Sequence, residues 1–168
     1  IHERGHKIGV HLSYNSKNDV SAMTKELNYL KRVCSEEGIL QPQWGSRQHY
    51  LRWKTPHTAQ CLDAAGLDYD TTLTYAEHAG FRCGTSFDFP LFDVSGRKPL
   101  RLIEKPLVAM ECSVLDEPYQ ALGAEAGYEY FMKLRRRCEQ TNGTFSLLWH
   151  NTRLLNPADR ELYLSIIS

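Results

Sequence analysis

Short apolar runs alternate with helix-period segments along almost the whole chain, and that alternation narrows the fold more than any other feature. Ile8-Gly9-Val10-His11-Leu12 lies between Gly5 and Asn15 and has the make-up of a buried strand. Val20, Met23, Leu27, Leu30 and Val33 then recur every three or four residues as far as Gly38. This spacing predicts an amphipathic helix, capped by Asn18 or Ser16 and stopped by glycine. Arg47 to Leu51 fits a second strand, and Thr55-Pro56 opens a helix whose Ala59, Leu62 and Ala65 line one side. Asp70 to Leu73 and Leu107 to Met110 fit further strands, Tyr119 to Glu139 a long helix, and Phe145 to Trp149 a last strand. Asn156-Pro157 starts a short closing helix. From Tyr75 to Pro99 no regular period emerges, and a stretch of that length is expected to be functional or to wrap the mouth of the fold. Strand and helix in turn specify an α/β fold with a mostly parallel sheet.

The 168 residues suffice for one domain, 1–168, that buries its core without staples. Twenty basic residues offset twenty acidic ones, so broad charge-driven binding to nucleic acid or an anionic membrane is not expected. The basic run Arg135-Arg136-Arg137 falls in the last turn of a predicted helix, where positive charge suits the dipole. Cys34, Cys61, Cys83, Cys112 and Cys138 form no C-x-x-C pair and read as reduced, structural thiols, which points to a cytoplasmic setting. No apolar run reaches the length of a membrane span, and no signal peptide is visible after Ile1.

In a parallel α/β fold, chemistry gathers at the C-terminal ends of strands. Three predicted strands end in polar clusters containing histidine: Gly9-Val10-His11-Leu12-Ser13-Tyr14, Gly45-Ser46-Arg47-Gln48-His49-Tyr50-Leu51-Arg52, and Leu147-Leu148-Trp149-His150-Asn151. Imidazole at such a position can ligate a divalent metal through one nitrogen while a neighbour fixes the other. A lone histidine after an apolar strand is more often a hydrogen-bonded structural residue, and spacing alone leaves both readings open.

Gly5-His6-Lys7-Ile8-Gly9-Val10-His11 resembles the G-H-E-I-G-x-H stretch of the polysaccharide deacetylases, the NodB-like hydrolases. Gly66-Leu67-Asp68-Tyr69-Asp70-Thr71-Thr72-Leu73 is similar to that family's G-x-x-Y-D-S-S segment, and Leu148-Trp149-His150 to its late L-x-H motif. The run from Gly45 to Arg52, with Tyr75 to Thr85, looks like a bacterial branch of deacetylase-like proteins. The resemblance spans Gly5 to about Asn151. It implies a partial NodB-like (β/α) barrel of the glycoside hydrolase/deacetylase type whose opening strands precede Ile1. On those missing strands the family carries a pair of aspartates, a general base and a metal ligand, and no Asp-Asp pair occurs in this sequence. The fragment alone is therefore expected to be inactive, and its open edges leave room for an edge-mediated homodimer.

The activity implied is metal-dependent hydrolysis of an acetyl group on a carbohydrate, with a divalent metal, zinc by preference, as cofactor. The resemblance gives His11 the role of a metal ligand and His150 that of general acid. Where the family has its second histidine ligand this chain has Asn15, a poor zinc ligand, so His49 and then His78 are the candidates to complete the site. Arg47 would orient or balance a carboxylate, with a buried ion pair as the plainer alternative. Arg82, Trp149, Trp53 and Tyr75 are candidate substrate contacts, the aromatic ones also suiting ordinary packing. The Asn15 departure keeps a second expectation open: a catalytically degenerate barrel that binds a saccharide or a protein.

Overall fold

A computed structural model describes residues 2–168. The chain forms two compact units, the first comprising the residues up to Thr72 with Asp88–Lys105, the second Leu73–Phe87 with Pro106–Ser168. Both mix helix and strand, as the alternation predicts.

In the first unit the strands are β1 (Val10–Leu12), β2 (Gly45–Gln48), β3 (Tyr69–Asp70), β4 (Phe89–Asp93) and β5 (Lys98–Glu104). They form one sheet in the order β1-β2-β3-β5-β4. All neighbours run parallel except β4, which pairs antiparallel with β5. Helix α1 (Val20–Glu36) follows β1 and packs on it, burying Met23, Leu27 and Cys34. Its cap is Asp19, whose side chain accepts from the Ala22 N–H at 3.0 Å, rather than Asn18 or Ser16. Helix α2 (His57–Ala64) packs against α1, β4 and β5. The sheet needs Gly45: a Cβ there would lie 2.0 Å from the Tyr69 ring, itself flanked by the ammonium groups of Lys7 and Lys105.

Two local expectations are corrected here. The Tyr75–Pro99 stretch is not wholly irregular, because it holds β4 and the start of β5, joined by a tight turn at Asp93. Pro90 disguises the strand pattern, yet β4 is an edge strand, where proline is tolerated. The second strand stops at Gln48, and the chain turns over His49–Leu51 with Tyr50 and Leu51 both left-handed, at φ of 55° and 52°.

The second unit contains the parallel pair β6 (Ala109–Met110) and β7 (Leu147–Leu148), with helices α3 (Glu111–Leu115), α4 (Ala124–Gln140) and α5 (Pro157–Ile167). Val108, Ala109, Val114, Phe131, Leu134, Cys138, Leu162 and Ile166 form its core. Helix α4 starts five residues later than the apolar pattern suggests. The Leu122 N–H donates to the Val114 carbonyl at 2.9 Å, which folds the preceding segment back onto α3. Of the basic run, Arg135 donates to the Ile166 and Ser168 carbonyls at 2.7 and 2.9 Å and so caps α5, while Arg136 and Arg137 remain exposed.

In β3, at the middle of the sheet, Asp70 is fully buried and accepts from the Ser46 hydroxyl at 2.5 Å and the Thr72 N–H at 2.8 Å. Burial pushes its pKa up, against the opposing pull of those donors and of the Arg47 cation. A carboxyl raised in the folded state stabilises fully below the ordinary carboxylate pKa and less as pH climbs through the raised value. Asp70→Asn, which keeps an acceptor for Thr72, should therefore flatten stability against pH from about pH 4 upward, read from urea midpoints. Parallel curves for wild type and variant would refute the raised pKa.

Candidate functional site

Adjacent parallel strands bring the first two histidine clusters together. His11 lies in β1 opposite Arg47 of β2, and the turn after β2 swings the His49 ring back across to it. His11 Nε2 and His49 Nδ1 face each other at 3.0 Å, with ring centroids 5.0 Å apart. One nitrogen of such a pair lacks its hydrogen and offers a lone pair. Two zinc-bound imidazoles on a tetrahedral ion have donor nitrogens about 3.3 Å apart, so spacing and donor type both suit a shared cation. Among the described residues no third His, Cys or carboxylate joins the pair.

Aromatic rings surround these imidazoles. Tyr14 and Tyr50 each meet His49 edge-on, at 6.1 and 4.8 Å between centroids, and Arg52 lies 4.1 Å over the Tyr14 ring. Tyr50 is 79% exposed. The left-handed turn that presents it carries a backbone cost of order 1–3 kcal/mol, which the Arg52 guanidinium helps hold by donating to the Tyr14 carbonyl at 2.7 Å. A sequence reader had one signal for this wall, the tyrosines next to each histidine cluster.

In the second unit, β6 and β7 deliver Glu111 and His150 from their C-terminal ends. Glu111 is completely buried, and its Oε1 accepts a very short hydrogen bond from His150 Nδ1 as well as the His150 backbone N–H at 3.1 Å. The His150 side chain is 52% exposed. Glu111 thus holds one ring nitrogen and leaves Nε2 for an incoming group. Cys112 Sγ lies 3.3 Å from the same Oε1 and 3.7 Å from His150 Nδ1. Burial, with the Glu111 charge beside it, pushes the Cys112 thiol up to about 12, so at neutral pH it is protonated and no ready nucleophile. Arg153 clamps this cluster, pairing with Asp116, with Asp159 at 3.2 Å and with Glu111 at 3.6 Å. Sequence reasoning reached His150 and missed Glu111, whose signal is an acidic residue directly after the apolar run Leu107–Met110.

The remaining candidates are placed as follows. Arg47 Nε donates to the Thr71 carbonyl and hydroxyl at 3.2 and 3.0 Å, beside the buried Asp70. Arg82 is fastened to the Thr74 carbonyl at 2.6 Å. Trp53 donates to the Thr55 hydroxyl at 3.1 Å. Tyr75 and His78 stack on each other at 4.4 Å in the second unit. Trp149 packs against Phe131 and Tyr163, with its indole N–H buried and unpartnered.

No model of a known protein family matches the chain, and no curated protein matches it by sequence. Among solved structures it is similar to the crystal structure of a provisionally assigned polysaccharide deacetylase from Mycobacterium smegmatis, with a TM-score of 0.66 and 20% identity. The match covers 99% of this chain and 57% of that one. The fold is therefore that of a deacetylase-like α/β protein, and the chain spans little more than half the length of the structure it matches. None of the helices among the described residues is long and apolar enough to cross a membrane.

Proposed function

We propose that this chain is part of a metal-dependent hydrolase that removes acetyl groups from a carbohydrate. The observation that carries the reading is the His11–His49 pair, two nitrogen donors converging at 3.0 Å from adjacent parallel strands in a deacetylase-like fold. His11 and His49 would hold the cation, which when bound polarises the acetyl carbonyl and makes water a competent nucleophile near neutral pH. His150 is assigned the proton donor. The Glu111 carboxylate holds the ring through Nδ1, and the Nε2 hydrogen passes to the leaving nitrogen or oxygen. Arg47 stands as a charge-balancing residue beside Asp70, and the exposed Tyr50 ring offers an apolar edge to a sugar.

Acetate release from acetylated oligosaccharides tests this reading in the longest natural form of the protein. Release should stop after chelation and return when zinc is restored. A protein that binds oligosaccharide yet releases no acetate with any divalent metal would instead be the degenerate binding module, a reading favoured by Asn15 where the resembled family has a histidine ligand.

A further inference from the structure

Glu111, Cys112 and His150 converge in a second way, apart from the histidine pair. They are the group of three among the described residues whose donor atoms lie within 4.8 Å of one another. We infer that these three side chains form a distinct binding site for a thiophilic divalent cation such as zinc.

The distances carry the inference first. With Zn–S about 2.3 Å and Zn–N or Zn–O about 2.0–2.1 Å, a tetrahedral ion spaces sulfur about 3.5 Å from its nitrogen and oxygen neighbours. Cys112 Sγ stands 3.7 Å from His150 Nδ1 and 3.3 Å from Glu111 Oε1. The third edge, His150 to Glu111, is closed by a hydrogen bond and must open, which the half-exposed imidazole permits. The second carboxylate oxygen of Glu111 is buried without a hydrogen-bond partner, while three donors crowd Oε1. A cation held by both carboxylate oxygens would relieve that imbalance, since buried carboxylate oxygens are ordinarily satisfied.

Local charge points the same way. Glu111, Asp116 and Asp159 set three carboxylates around the single guanidinium of Arg153. One thiolate, one imidazole nitrogen and one carboxylate select zinc or cobalt over magnesium or calcium. Binding releases the thiol proton and moves the imidazole hydrogen from Nδ1 to Nε2, so Glu⁻, Cys⁻ and neutral histidine balance the divalent ion to zero. With Nδ1 on the ion, His150 is left as a neutral imidazole, a far weaker acid than imidazolium. That consequence, unlike the binding itself, rests on the acid role proposed above.

Titration of the chain with cobalt(II) chloride tests the site. Thiolate ligation gives a near-ultraviolet charge-transfer absorption, expected to saturate and then to vanish when zinc is added. It should be absent from Cys112→Ser, retained by Cys61→Ser, and weakened about tenfold or more in His150→Gln, which alters a half-exposed ring and covers the case of a poorly folded cysteine variant. No absorption in wild type, or its persistence in folded Cys112→Ser, overturns the site. His11 and His49 supply no thiolate, so the readout is independent of whether the histidine pair binds metal. In the acetate assay, zinc beyond one equivalent should slow wild type and spare Cys112→Ser. An equal fall in both would overturn the link to His150.

Discussion

Replacing either histidine of the facing pair should cost at least about 100-fold in metal affinity, since losing only a partner that orients a ligand already costs about 10–100-fold. His11→Ala leaves His49 as a single imidazole from a turn, and His49→Ala leaves His11 as a single imidazole from a strand. Neither residue is part of the buried core, so both variants should keep the unfolding midpoint of the parent. Competition between protein and a chromophoric chelator for zinc gives the affinity directly. Equal losses in the two single variants, with little further loss in the double variant, identify shared ligands, because ligands of one ion are strongly non-additive. Small, additive losses would mean that the pair is only an N–H···N hydrogen bond.

The sequence made the His11 cluster and the His49 cluster visible separately, and left their meeting open. Strand order explains why. A parallel neighbour is chosen by how helices pack on the sheet, here α1 returning the chain from β1 to β2, and no local period encodes which strand lands beside which. The turn at Tyr50 was hidden for another reason: two consecutive left-handed residues without glycine contradict local preference, and contacts distant in sequence, such as those of Arg52 with Tyr14, help hold them there. Asn15, where the family's second histidine ligand would stand, was legible as a departure. The structure places it in a turn after β1, exposed.

The same contrast separates the helices from the β4–β5 hairpin. Val20 to Val33 announce α1 by spacing alone, because a surface helix buries one stripe. Phe89 to Asp93 bury alternate residues too, but Pro90 and the short length hide that signal within an aromatic stretch. Trp149 shows the limit of residue type as a guide. An aromatic at a strand end suits either a sugar contact or packing, and its ring lies against Phe131 and Tyr163.

His150→Gln should lower acetate release by about 100- to 10,000-fold, the range typical of a lost proton donor, with little change in KM. Glutamine can still accept or donate a hydrogen bond near Glu111, so a purely structural role for the ring would cost far less. Glu111→Gln separates holding from donating. A neutral amide keeps a hydrogen bond to the ring but removes the charge that Glu111 sets against Nδ1, so kcat should fall with KM kept while the unfolding midpoint changes little. In the His150→Gln background, altering Glu111 should cost no further activity, because the ring that it holds is gone. If Glu111→Gln instead left kcat in place and merely destabilised the protein, Glu111 would be a packing residue for β6 and β7.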